Sequence, residues 1–350
     1  MAGLYIHIPY CRAKCAYCDF YSGPLAGFDA ATYFDAIARE LAARRGEVGE
    51  FATVYVGGGT PSSVAPEFLA PFLALAPGER TVEVNPEDVT PAYAAALRRA
   101  GANRVSMGVQ SLVDAELQAV GRRHTAARAR EAFATLRSEG FDNISLDLIY
   151  GLPGQTLDSW RRSLDELFAL GPEHLSAYSL TYEEGTLLTA RMKAGKITEA
   201  PEELVEEMYG ALCASARAAG YGHYEISNFA RPGREAVHNS AYWDMTPYLG
   251  LGPGAHSFDG EVRRANPSNL KLYMANPETA AVAEEETADN RFNDMLITAL
   301  RTAMGVNPQV FSDAELRIAR KLLQPTPQGR LRIAEADWLR SNSILLELIR

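Results

Sequence analysis

Cysteine is scarce in this chain, at four residues in 350. That excludes a secreted fold stapled by disulfides, which crowds many more cysteines into a shorter chain. Positive charge is in deficit too: 34 Lys and Arg against 44 Asp and Glu leave a formal net charge of −10. Such a chain repels phosphate backbones, so nucleic-acid binding is not expected. No run of about 18 apolar residues occurs, so direct membrane insertion is not expected either. The amino terminus, MAGLYIHIPYC, lacks the charged region and long apolar run of a secretory signal. These absences together lead to the expectation of a cytoplasmic protein.

Hydrophobic residues make up 47% of the chain, enough for one large domain with an appendage, or for two domains. Short apolar or alternating runs at 4–8, 52–56, 81–84, 104–109, 144–149 and 175–180 predict strands. Between them, 30–45, 91–100, 125–139 and 157–170 predict helices. Asp29, Thr90 and Thr156 are candidate N-caps, and Gly101, Gly140 and Gly171 follow the helix ends. Repeated strand–helix units imply an α/β architecture with right-handed crossovers. Periodicity alone does not separate an open sheet from a barrel. Beyond residue 200 the pattern changes. An amphipathic helix at 201–219 carries Cys213, which reads as a buried structural thiol. Residues 238–260 read as irregular, dense in Gly, Pro and aromatics. The acidic run Glu284, Glu285, Glu286 precedes a predicted helix at about 290–304, and 329–334 could form a small wing strand.

Three of the four cysteines fall together. Cys11, Cys15 and Cys18 make a C-x₃-C-x₂-C loop directly after the first predicted strand. A [4Fe–4S] cluster held entirely by protein takes four thiolates, so three leave one iron open. An open coordination position separates a reactive metal site from a structural one. Arg12 and Lys14 sit where they can offset thiolate and sulfide charge. A zinc site lacking its fourth ligand, or simple buried thiols, are the bland alternatives.

Polar groups recur near the predicted strand ends: the run Gly57–Gly58–Gly59–Thr60–Pro61, then Glu83, Gln110 and Asp147, with Arg122 nearby. Ligands bind at the carboxyl ends of parallel strands in barrels and open sheets alike. Consecutive glycines let backbone approach a ligand closely. Asp147 in an otherwise apolar strand is the most telling, because an unpaired buried carboxylate is costly. Taken singly, each also reads as a tight turn, a surface charge or a group satisfied by backbone.

The cysteine spacing, with Tyr17 before the third thiol, resembles the radical-SAM superfamily. The resemblance implies a partial parallel (β/α)6 barrel with a small, mainly helical C-terminal domain. It implies a [4Fe–4S] cluster on Cys11, Cys15 and Cys18, with S-adenosylmethionine (SAM) chelating the open iron and electron transfer splitting its sulfonium to a 5′-deoxyadenosyl radical. Tyr5, Gly58, Gly59, Thr60, Glu83, Gln110, Arg122 and Asp147 match SAM-contacting positions of the family, as does Thr181, where the contact is mainly backbone. The expected organisation is a core at 1–235, a connecting region at 236–284 and a helical domain at 285–350.

Within the superfamily the chain is most similar to the oxygen-independent coproporphyrinogen oxidase branch, through His7-Ile8-Pro9, Gly57–Pro61 and 147–156. Two readings compete there. One is an oxidative decarboxylase of coproporphyrinogen III. The other is the heme chaperone group, HemW, which binds heme and transfers it to an acceptor protein. Three features favour the chaperone group: Phe20 stands where the decarboxylase carries a further Cys, the chain begins ten residues before Cys11, and His238-Asn239-Ser240-Ala241-Tyr242-Trp243 matches that group's H-N-x-x-Y-W heme element. Imidazole is a common axial ligand of heme iron, and Tyr and Trp supply flat apolar area. This makes His238 the candidate iron ligand, with His7, His124, His174, His223 and His256 as rivals. The alternative for His238 is an ordinary loop histidine bonded to backbone.

Overall fold

Each of the six apolar segments becomes a parallel strand with helical cover. The computed structural model describes residues 1–285 and 287–350, so Glu286 of the acidic run lies outside the described residues. The strands are β1 (Ala2–Ile8), β2 (Phe51–Gly58), β3 (Arg80–Val84), β4 (Arg104–Gln110), β5 (Ile144–Tyr150) and β6 (His174–Ser179). Each pairs in parallel with the next. Helices α1 (Ala30–Arg44), α2 (Pro91–Arg99), α3 (Ala126–Ser138) and α4 (Leu157–Leu170) lie between them. Asp29, Thr90 and Thr156 cap their helices through the N–H groups of Thr32, Tyr93 and Ser159. Thr125 caps α3 in the same way. The result is an α/β fold, a partial parallel (β/α)6 barrel.

Alternation along the strands divides two environments. Leu4, Ile6, Val54, Val56, Val105 and Leu146 join one apolar core under the helices. The intervening positions, among them Tyr5, His7, Thr53, Tyr55, Glu83, Ser106 and Asp147, face the barrel interior, which is therefore polar.

Residues after 200 extend this same sheet. Helix α5 (Glu202–Ala218) leads to β7 (Gly222–Glu225) and β8 (Asn228–Ala230), which prolong the β6 edge antiparallel. Helix α6 (Val237–Trp243) then crosses to the other edge, where β9 (Tyr248–Leu251) pairs in parallel with β1. Strands β10 (His256–Phe258), β11 (Arg263–Ala265) and β12 (Val282–Ala283) follow antiparallel. The sheet order is β12-β11-β10-β9-β1-β2-β3-β4-β5-β6-β8-β7. Glu40 on α1 anchors the added edge. Its buried carboxylate accepts from Arg44 and Asn266 at 2.8 Å each, from the Tyr273 hydroxyl at 2.7 Å and from Gly252 N–H at 2.9 Å.

Helices α7 (Ala288–Ala299) and α8 (Asp313–Leu322) build a second core with Leu300, Val306, Ile333 and Trp338. The wing shrinks to Leu331–Arg332 paired with Gln324–Pro325. Main-chain bonds from Ala303 N–H to Tyr224 C=O and from Ile226 N–H to Arg301 C=O join this unit to the barrel. Among the described residues no helix is long and apolar enough to cross a membrane.

Candidate functional site

The cysteine loop leaves the carboxyl end of β1 and is clamped on three sides. Leu25 N–H donates to the Cys11 carbonyl, Ala16 N–H to the Val120 carbonyl and Leu188 N–H to the Ala16 carbonyl. Thr60, Arg122 and Tyr17 reach the sulfurs, Tyr17 at Cys15. The Thr60 hydroxyl donates to Cys11 Sγ at 3.4 Å, and Arg122 Nη1 donates to Cys15 Sγ at 3.4 Å. Burial pushes the Cys18 thiol up to about 11, with the neighbouring Cys15 and Cys11 adding to the effect. Of the cations expected at the thiols, Arg12 pairs instead with Asp88 at 3.4 Å, whereas Lys14 donates to the Phe20 carbonyl and its charge still acts to lower the Cys18 thiol.

Among the described residues no three Cys, His, Asp or Glu side chains are grouped to hold a single metal ion. A cubane cluster, ligated corner by corner, asks for thiols around a volume rather than a point. Arg122 supplies a further sign of fit. Its Nη2 donates to Asn85 Oδ1 at 2.9 Å and to the Gly108 carbonyl at 2.6 Å, while its Nε is buried with no hydrogen-bond partner. An orphaned donor beside the thiols is what an acceptor on a bound group would satisfy. The residues present fit a three-thiolate cluster carrying an anionic ligand.

The other site positions gather beneath this loop. Gly58 N–H donates to Glu83 at 3.2 Å, and the Tyr55 hydroxyl donates to the same carboxylate at 2.7 Å. Burial raises Glu83 to about 7, with Asp147 contributing further. Asp147 accepts from the Ser106 hydroxyl at 3.2 Å and from Ser145 at 3.4 Å, and burial carries it up to about 6. The Tyr5 ring stacks on Tyr55, and its hydroxyl bonds His7 Nδ1 at 3.0 Å. Gln110 holds a left-handed φ of 67°, at a register shift between β4 and β5. A non-glycine residue there is a strained feature that re-aims the side chain at the strand end. The glycine run has a packing reason of its own. Gly58 has φ 109°, and a Cβ on it would lie 2.7 Å from the His7 ring; one on Gly59 would lie 2.6 Å from the Tyr10 carbonyl. Thr181 is exposed in the loop after β6.

The H-N-x-x-Y-W segment is α6, and it lies at the opposite end of the barrel. His238 is 1% exposed and reaches the amino-terminal halves of the strands. Its Nδ1 bonds Thr53 Oγ1 at 2.8 Å, its Nε2 bonds the Tyr242 hydroxyl at 2.8 Å, and its ring stacks on Tyr55. Burial, aided by Arg104, lowers its pKa to about 3. Both nitrogens are thus occupied by side-chain hydroxyls, not by the backbone. Trp243 points the other way, packs near Tyr224 and lines a cavity of about 220 Å³ with Met304 and Arg330 of the C-terminal unit. Of the rival histidines, His7, His124 and His174 are buried, His223 is partly buried, and His256 is exposed beside Glu284. Cys213 is partly buried against the core, 3.9 Å from His223 Nδ1.

Sequence reasoning passed over Thr53, Tyr55, Glu79, Asn85, Arg104 and Ser106. The polar set Thr53, Tyr55, Gly57 alternates with Val54 and Val56, and that period of two was the available signal.

A model of the radical SAM superfamily matches residues 5–167. The heme chaperone HemW of Mycobacterium tuberculosis is 36% identical over 99% of this chain and 87% of that protein. The heme chaperone HemW of Bacillus subtilis is 35% identical over 89% of this chain and 86% of its own length. The solved structure of coproporphyrinogen III oxidase (HemN) from Escherichia coli matches with a TM-score of 0.83 over 99% of this chain and 90% of that one, at 23% identity, a likeness of fold.

Proposed function

The chain belongs to the HemW heme chaperone family within the radical SAM superfamily, and from that membership we propose that it binds heme and passes it to an acceptor protein. Cys11, Cys15 and Cys18 hold a [4Fe–4S] cluster, and SAM lies against Tyr5, Gly58, Gly59, Thr60, Glu83, Gln110, Arg122 and Asp147. When bound, the cluster and SAM supply one-electron chemistry. Thr60 and Arg122 donate to the cysteine sulfurs, which orients the ligands and draws off part of their charge. The orphaned Arg122 Nε is placed to meet a carboxylate. Heme is taken up at the H-N-x-x-Y-W helix, whose Trp243 gives a flat apolar wall to the cavity it shares with Met304 and Arg330, and whose His238 is the iron ligand once it leaves its two hydroxyl partners.

The observation that carries this reading is the separation of the two sites. The cysteine loop sits at the carboxyl mouth of the barrel, and the His238 helix sits against Thr53 and Glu79 at the other end. An oxidase whose substrate meets the SAM-derived radical needs one site; a carrier can use two. Phe20, 65% exposed beside the cluster loop, offers no further thiol there.

The test uses anaerobically reconstituted protein. Heme titration followed by absorbance is expected to give stoichiometric binding, and coproporphyrinogen III with SAM and reductant is expected to give no protoporphyrinogen. Turnover of coproporphyrinogen would replace the chaperone with a decarboxylase. The double variant His238→Ala, Trp243→Ala should lose heme while keeping iron and sulfide. If it binds heme like the parent, the heme element is misassigned.

A further inference from the structure

The placement of His238 poses a problem for heme ligation. An imidazole binds iron through the lone pair of one ring nitrogen. Here Nδ1 and Nε2 each face a hydroxyl at 2.8 Å. The ring is sandwiched between Tyr55, at 5.3 Å between centroids, and Gly3, where an added Cβ would lie 3.1 Å from His238 Cε1. The absence of a side chain at residue 3 makes the slot that the ring fills.

The helix carrying His238 is gripped from outside the lumen as well. Glu79, in the turn before β3, accepts from Val237 N–H at 2.9 Å and from His238 N–H at 3.1 Å. Its carboxylate lies 3.9 Å from Arg104 Nε, a guanidinium buried in the lower lumen. The Tyr224 hydroxyl bonds the preceding Ala236 N–H at 3.2 Å. Residues from three different strands or turns thus converge on one seven-residue helix, and the histidine plugs the barrel.

We propose that Glu79 and Thr53 are positioning residues for heme uptake: they latch α6 as a plug in the amino-terminal end of the barrel, and His238 meets iron only when that plug withdraws. The inference rests on the heme reading above. Apparent affinity scales with the fraction of molecules in the open state, so loss of one latch bond raises heme affinity by about five- to tenfold. The same change speeds association, because opening precedes capture.

The experiment is heme titration and stopped-flow mixing on the full, cluster-loaded chain. Thr53→Val keeps the shape of the side chain and removes its hydroxyl; Glu79→Gln removes the charge. Both are expected to bind heme more tightly and faster than the parent, and Thr53→Ser, which keeps the hydroxyl, should return to parental values. In the His238→Ala background the gain from Thr53→Val should vanish. Unchanged or weaker heme binding by folded Thr53→Val and Glu79→Gln overturns the latch and leaves the heme reading standing. Parental heme binding by His238→Ala with Trp243→Ala overturns the heme reading, and the latch with it.

Discussion

Arg122 concentrates the chemistry of the cysteine mouth in one guanidinium. It holds Cys15 Sγ, Asn85 and the Gly108 carbonyl at once and keeps Nε in reserve. A lysine has the charge but not the planar fork. Arg122→Lys is therefore expected to keep most of its iron and sulfide while SAM affinity falls by roughly 10- to 100-fold. Equilibrium dialysis with SAM decides it, and an unchanged affinity removes Arg122 from the SAM site. Glu83 carries a pH signature. Burial raises it from 4.5 to about 7, so the folded chain holds its proton more tightly than the unfolded one. Stability from this group is then full at acid pH and is lost as pH rises from the ordinary carboxylate range through about 7. Without SAM, Tm should fall less steeply over that range in Glu83→Gln than in the parent; identical slopes would show that Glu83 does not govern it. Asp147 was legible in the sequence because a carboxylate stood between Leu146 and Leu148. Its hydroxyl partners Ser106 and Ser145 were not, since a lone serine in a strand carries no sign of the group it will meet.

At the level of elements, helix caps and the six barrel strands were readable to within a few residues, because each is long enough for its period to repeat. The strands after residue 245 were not. They run from two to four residues, too short for alternation to register, and they exist because β1 offers a free edge. What secures them is a polar anchor with no local sequence signature. Glu40 lies four residues before Arg44, an ordinary helical pair on paper, yet it gathers Asn266, Tyr273 and Gly252 from more than two hundred residues away. Removing it strands a buried guanidinium and several donors. Glu40→Ala is expected to cost about 3–5 kcal/mol, read as a lower midpoint in urea unfolding; a loss below about 1 kcal/mol would mean that water replaces the carboxylate.

For the molecule as a whole, the α/β class and the cysteine mouth were visible from residue order alone, while the two-ended layout was not. The H-N-x-x-Y-W motif raised the expectation of a heme element without giving its place, and only tertiary contacts put His238 under Thr53. The position of β1 has one more consequence, and it concerns time. Gly3 pairs with Tyr248 on one side and Thr53 on the other. As the chain emerges from synthesis, the strand that bears the cysteine loop gains its β2 neighbour early and then waits nearly two hundred residues for β9. Until then one of its edges stays open, a template for wrong pairing between nascent chains. The pairing that covers this edge joins distant parts of the chain, the kind of contact that slows folding.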